Sequence, residues 1–136
     1  MELINSIEDE KSRTSLLGRK NNMMILELAG TAQTENFKEA LRLIKVWAKN
    51  RGVSSNAMGF LGGISWAILL AKICKIFPAH TPSKLLFEFF NVYRWWDWKL
   101  FPVQLIKPTE DRDETPTGMM TVITPGSYYN STERVN

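Results

Sequence analysis

Residues 57–71 run for fifteen positions without a single charge, and no other stretch constrains the fold as strongly. Gly59, Gly62 and Gly63 crowd its first part, Lys72 and Lys75 follow it, and Pro78 stops it, which predicts a helix over about residues 61–77. A helix that is apolar on nearly every face has to be wrapped by other elements. A membrane span needs ~20 such residues, so the length fits a buried core helix better than a bilayer helix.

The partners for that core helix are legible on either side. In residues 36–51, Phe37, Ala40, Leu41, Ile44, Trp47 and Ala48 recur at helical spacing and form one apolar stripe. Lys38, Arg42, Lys45 and Lys49 form a second stripe beside it. Thr34 is placed to cap this helix with Glu35 in its first turn, and Gly52 is placed to end it. A further helix is predicted from Thr81, with Pro82 at its first position, running through Leu85, Phe87, Phe89, Phe90, Val92 and Tyr93 toward Trp95. Residues 1–28 are polar apart from a small apolar patch and are read as one or two short helices. After Pro102 the pattern changes. Pro108, Pro116 and Pro125 punctuate a tail in which residues 104–107 and 121–124 fit either short paired strands or extended segments laid on the bundle. The predicted fold class is therefore mainly α: a helical bundle with an extended, Pro-punctuated C-terminal tail. The corresponding division is 1–35, 36–101 and 102–136.

Composition narrows the chemistry. Hydrophobic residues make up 44% of the 136 residues and charged residues 23%, which excludes a wholly disordered chain. A net charge of +3 is too small to announce a nucleic-acid binder by itself. The single cysteine, Cys74, excludes an internal disulfide and a thiolate zinc site, and His80 is the only histidine. Cys74 lies among apolar neighbours and reads as core, and His80 reads as a turn residue. The N-terminus has no apolar run of the secretory kind, so the Asn130-Ser131-Thr132 acceptor triplet is read as idle.

Phosphoryl and nucleotidyl transfer need clustered carboxylates to hold two metal ions. The four aspartates are Asp9, Asp97, Asp111 and Asp113, and the last two stand in a Pro-rich acidic loop that reads as solvated. On these residues the chain is not a complete enzyme. Three features remain. The cationic stripe suits either phosphate contacts or a solvated helix face. The glycines before the core helix suit either a ligand approaching backbone N–H groups or close helix packing. Trp95, Trp96 and Trp98 suit either a base-stacking platform or packing of the third helix against the tail.

The segment Leu43-Ile44-Lys45-Val46-Trp47-Ala48-Lys49, with Arg51-Gly52, Ser55-Asn56 and Gly59-Phe60-Leu61-Gly62-Gly63-Ile64-Ser65-Trp66-Ala67, resembles the central domain of eukaryotic nuclear poly(A) polymerases. The likeness extends to Cys74 through Pro78, to Trp96-Asp97-Trp98, to residues 105–111 and to residues 122–125. Upstream, Ser15-Leu16-Leu17-Gly18 is similar to another family motif.

The resemblance implies transfer of AMP from ATP to RNA 3′ ends in the nucleus. It also implies that Mg²⁺ or Mn²⁺ is held by a separate catalytic domain, with no metal ligands in this chain, and that an RNA-recognition-like domain follows. It implies that Lys45 contacts the ATP phosphates, that Asn56 faces the adenine, and that Gly62, Gly63 and Ile64 form a wall against the nucleotide. Lys38, Arg42 and Lys49 are then expected to meet RNA or phosphate. The expected partners are ATP, the RNA 3′ end and the two other domains, with no membrane. Two positions depart from the family: Leu17 replaces an asparagine and Ser54 a tyrosine, both of which touch nucleotide or RNA there. The chain alone is expected to be inactive. The alternative expectation is a non-catalytic binding module or decoy derived from the polymerase.

Overall fold

The computed structural model describes residues 16, 18–30, 34–54, 61–105, 122, 123 and 125. Four helices dominate them: α1 over residues 18–29, α2 (Thr34–Asn50), α3 (Gly63–Ile76) and α4 (Pro82–Arg94). In α1, Asn21, Ile25 and Ala29 are buried at steps of four, so a single face docks on the bundle. Gly30, at φ 102°, ends that helix.

Helix α2 buries Phe37, Ala40, Ile44 and Ala48, four members of the predicted apolar stripe. It begins at Thr34, two residues earlier than expected, so Thr34 is the first helical residue. Its C-terminus is closed by a Schellman motif. Val53 N–H donates to the Ala48 carbonyl at 2.9 Å and Gly52 N–H to that of Lys49 at 3.1 Å. Gly52 sits at φ 69°, the left-handed conformation that this motif requires.

Helix α3 occupies the centre. Ile68, Leu70, Ala71 and Ile73 are fully buried, and α3 packs against both α2 and α4, which also touch each other. It starts at Gly63, two residues later than expected, because residue 61 is engaged elsewhere: Leu61 bridges Ser54, and its carbonyl accepts the Trp66 indole N–H. Among the described residues no helix is long and apolar enough to cross a membrane.

Helix α4 starts as predicted, with the Thr81 side chain accepting from Lys84 N–H at 3.4 Å and Pro82 in the first turn. It buries Leu85 and Phe89 and ends at Arg94, one residue short of Trp95. Beyond it, Trp96 and Trp98 donate to the Phe101 and Tyr93 carbonyls at 2.8 and 3.3 Å and pack beside the Tyr93 ring. Trp95 does not pack in this way. It is 74% exposed, with the Arg94 guanidinium 4.7 Å from its ring centroid.

In the tail, Val103 and Val122 form an isolated parallel bridge in which Ile123 N–H donates to the Val103 carbonyl at 2.9 Å. Val103, Leu105 and Val122 join the hydrophobic core. The pairing is thus seen one residue before the expected segment 104–107. Residues 106, 107, 121 and 124 lie outside the described residues.

Burial also sets two titrations. It pushes the Cys74 thiol from 9.0 up to about 11. It raises the Tyr93 phenol as well, with the Cys74 thiolate as a second, smaller cause. A folded-state pKa above the unfolded one gives stability that is complete below pH 9 and fades as pH rises through 11. The urea midpoint is therefore expected to fall between pH 8 and pH 10.5. Equal midpoints would place Cys74 in contact with water.

Candidate functional site

Lys38, Arg42, Lys45 and Lys49 all lie exposed along α2, on the flank of its buried stripe. Lys38 pairs with Glu35 at 3.8 Å, an exposed contact of little energetic weight. Among the described residues no carboxylate pairs with Lys45. The Lys45 side chain instead reaches the first residue of α3. Its Nζ lies 3.7 Å from the point where a Cβ on Gly63 would stand.

That end of α3 is itself positive. The first N–H groups of a helix have no intrahelical acceptor, and the helix dipole adds roughly half a unit of positive charge there. Gly62, the N-cap, is extended at φ −80° and ψ 172° and makes no side-chain cap bond. No acidic residue stands in the first turn of α3 to offset the dipole. An ammonium group therefore meets the positive end of a helix, and among the described residues no carboxylate stands between them. This arrangement is adapted to a small anion such as a phosphate, which would accept from both.

Two of the features singled out from sequence, the Lys45 stripe and the glycine-rich helix start, are thus brought together at one place. Gly62 and Ile64 are half-buried there, and Ile64 packs its side chain on the core. Asn56 lies outside the described residues, as does Leu17. Lys38, Arg42 and Lys49 continue the cationic face along α2.

Sequence reasoning missed the aromatic assembly behind the site. The Trp47 and Trp66 rings meet edge to face, with centroids 6.2 Å apart at 86°. Trp47 also meets Phe90 at 4.9 Å, and Trp66 meets Phe89 at 6.3 Å. Only the presence of large aromatics on all three predicted helices hinted at it.

Away from this site, a depression of about 590 Å³ opens between the C-terminal half of α3 and the segment after α4. Lys72, Lys75, Trp95, Trp96 and Phe101 are among the residues that line it. Its Lys75 Nζ donates to the Leu105 carbonyl at 2.8 Å. Among the described residues no group of three or more His, Cys, Asp or Glu side chains converges, so they do not fit a two-metal centre.

These features define a helical domain that presents a cationic helix start. A family model described as the poly(A) polymerase central domain matches residues 36–132. The chain is similar to the poly(A) polymerase of Dictyostelium discoideum, with 49% identity over 90 residues that cover 66% of this chain and 11% of that protein. It is 45% identical to nuclear poly(A) polymerase 2 of Arabidopsis thaliana over 103 residues, covering 76% of this chain and 12% of the relative. With nuclear poly(A) polymerase 3 of the same plant it shares 42% identity over 127 residues, 91% of this chain and 24% of the relative. The chain belongs to the poly(A) polymerase central-domain family. It spans between 11% and 24% of the length of these relatives.

Proposed function

We propose that this chain serves as the central domain in polyadenylation, holding ATP and the RNA end while AMP is transferred from ATP to an RNA 3′ end in the nucleus. The observation that carries the reading is the placement of Lys45 Nζ over Gly63 at the uncapped start of α3. In this reading Lys45 clamps the ATP phosphates, and Gly62, Gly63 and Ile64 wall the nucleotide. Asn56 faces the adenine, and Lys38, Arg42 and Lys49 meet the RNA backbone. The core of this activity is assigned to residues 36–101, with 1–35 and 102–136 as flanking segments. The carboxylates that hold Mg²⁺ or Mn²⁺ belong to a separate catalytic domain, so the chain by itself does not extend RNA.

The test is calorimetric titration of the chain with ATP, alone and as Lys45→Ala. Losing one charge-assisted contact of roughly 1.5–3 kcal/mol is expected to weaken binding at least tenfold. Equal affinities for the two proteins would remove Lys45 from the site. Growth of oligo(A) by the isolated chain with ATP and Mg²⁺ or Mn²⁺ would overturn the assignment of the metal ligands elsewhere.

The Ser54 departure from the family supports a second reading, a binding module without nucleotide. In that case ATP gives no heat on titration, while a fluorescently labelled oligo(A) still binds the chain.

A further inference from the structure

The geometry points to Trp66 as the residue that aims the start of α3 at the nucleotide, an inference that rests on the phosphate reading of Lys45 and Gly63. Gly62 and Gly63 stand in succession at this helix start. Glycine lacks the Cβ that restricts φ and ψ, so two in a row leave the direction of the first N–H groups soft unless something else holds them.

Trp66 supplies the hold from two sides. Its backbone N–H donates to the Gly62 carbonyl at 3.3 Å, and its indole N–H donates to the Leu61 carbonyl at 3.2 Å. The peptide unit is planar, so fixing the Leu61 carbonyl also fixes the Gly62 N–H on the opposite side of the same plane. The indole cannot drift, because Trp66 is 8% exposed and its ring is seated between those of Trp47 and Phe89.

Trp47 links this anchor to the lysine. It lies two residues beyond Lys45 on α2, and its ring meets Trp66 edge to face at 6.2 Å. The pair therefore sets the spacing between the helix that carries the ammonium group and the helix start that the ammonium group covers. The Ser54–Leu61 bridge ties Leu61 to the chain just beyond the end of α2. Trp66 touches no ligand in this scheme. It is a positioning residue, acting through the peptide between Leu61 and Gly62.

The experiment removes the indole donor and keeps the ring. Trp66→Phe is made in the 136-residue chain, and Trp66 is separately replaced by benzothienylalanine, which preserves the bicyclic shape without the N–H. Amide relaxation by NMR reads the glycines directly. Gly62 and Gly63 are expected to fall from an order parameter of about 0.85 toward 0.6, while the α4 amides stay unchanged. Affinity for ATP and for inorganic tripolyphosphate is expected to fall about fivefold, the value of one ordinary hydrogen bond.

Lys45→Ala is the control. It lowers affinity and leaves the glycine order parameters where they were. Rigid glycines in the benzothienylalanine protein would overturn the proposal, whatever Trp66→Phe does to folding. Mobile glycines in a chain whose parent binds neither ATP nor tripolyphosphate would uphold the positioning role and sink the phosphate reading instead.

Discussion

Leu70→Ala is expected to cost this domain about 3 kcal/mol, within the range of 2–5 kcal/mol typical for a buried leucine truncated to alanine. Leu70 is wholly inaccessible and lies midway along α3, the helix that α2 and α4 both contact. Its removal leaves a void that neither neighbour can close without giving up its own contacts. Domains of this size hold only about 5–15 kcal/mol in total, so the variant should melt roughly 10 °C or more below the parent. Leu100→Ala is the matched control. Leu100 is 70% exposed, and truncating it should change stability by less than about 0.5 kcal/mol. Urea titrations of the two variants decide the point, and equal losses would mean that α3 is not the centre of the bundle.

Gly63→Val is expected to do the reverse, sparing the fold and abolishing the site. Gly63 is the first residue of α3, and its backbone needs no left-handed conformation, so a side chain is tolerated by φ and ψ. What it meets is Lys45. Even a single Cβ would touch Nζ at 3.7 Å and Cε at 4.0 Å, so the two branches of valine displace the ammonium group. They also cover the N–H groups that a phosphate must approach. Losing the charge-assisted contact and the backbone approach together amounts to roughly 3–5 kcal/mol, or a hundredfold or more in ATP affinity. Stability should shift by less than about 1 kcal/mol, since the site is exposed. Retained ATP binding in Gly63→Val, alongside an unchanged urea midpoint, would separate the helix start from the nucleotide.

The paired variants also mark how far sequence reading carries. The Phe37, Ala40, Ile44, Ala48 face of α2, its stop at Gly52 and the Thr81-Pro82 start of α4 were all readable, because each is decided within one or two turns of chain. The boundaries that shifted did so through contacts outside the helix. Leu61 was expected to be helical, but the indole of Trp66 and the bridge to Ser54 take its backbone first. Trp95, Trp96 and Trp98 share one composition, yet two pack beside Tyr93 and one stands in solvent under Arg94. Nothing in the run of tryptophans distinguishes them, since the choice depends on where the chain turns after α4.

The candidate site shows the same division. Its parts, a lysine on a cationic stripe and a pair of glycines before an apolar helix, are written in the sequence as local patterns. Their meeting is not. Lys45 and Gly63 come together because the buried stripe of α2 lies against the apolar surface of α3 and the Trp47 and Trp66 rings meet edge to face. Hydrophobic periodicity determines that each helix forms and which face it buries. Side-chain packing between helices decides the rotation and spacing at which those faces meet, and here that packing sets an ammonium group over a helix start.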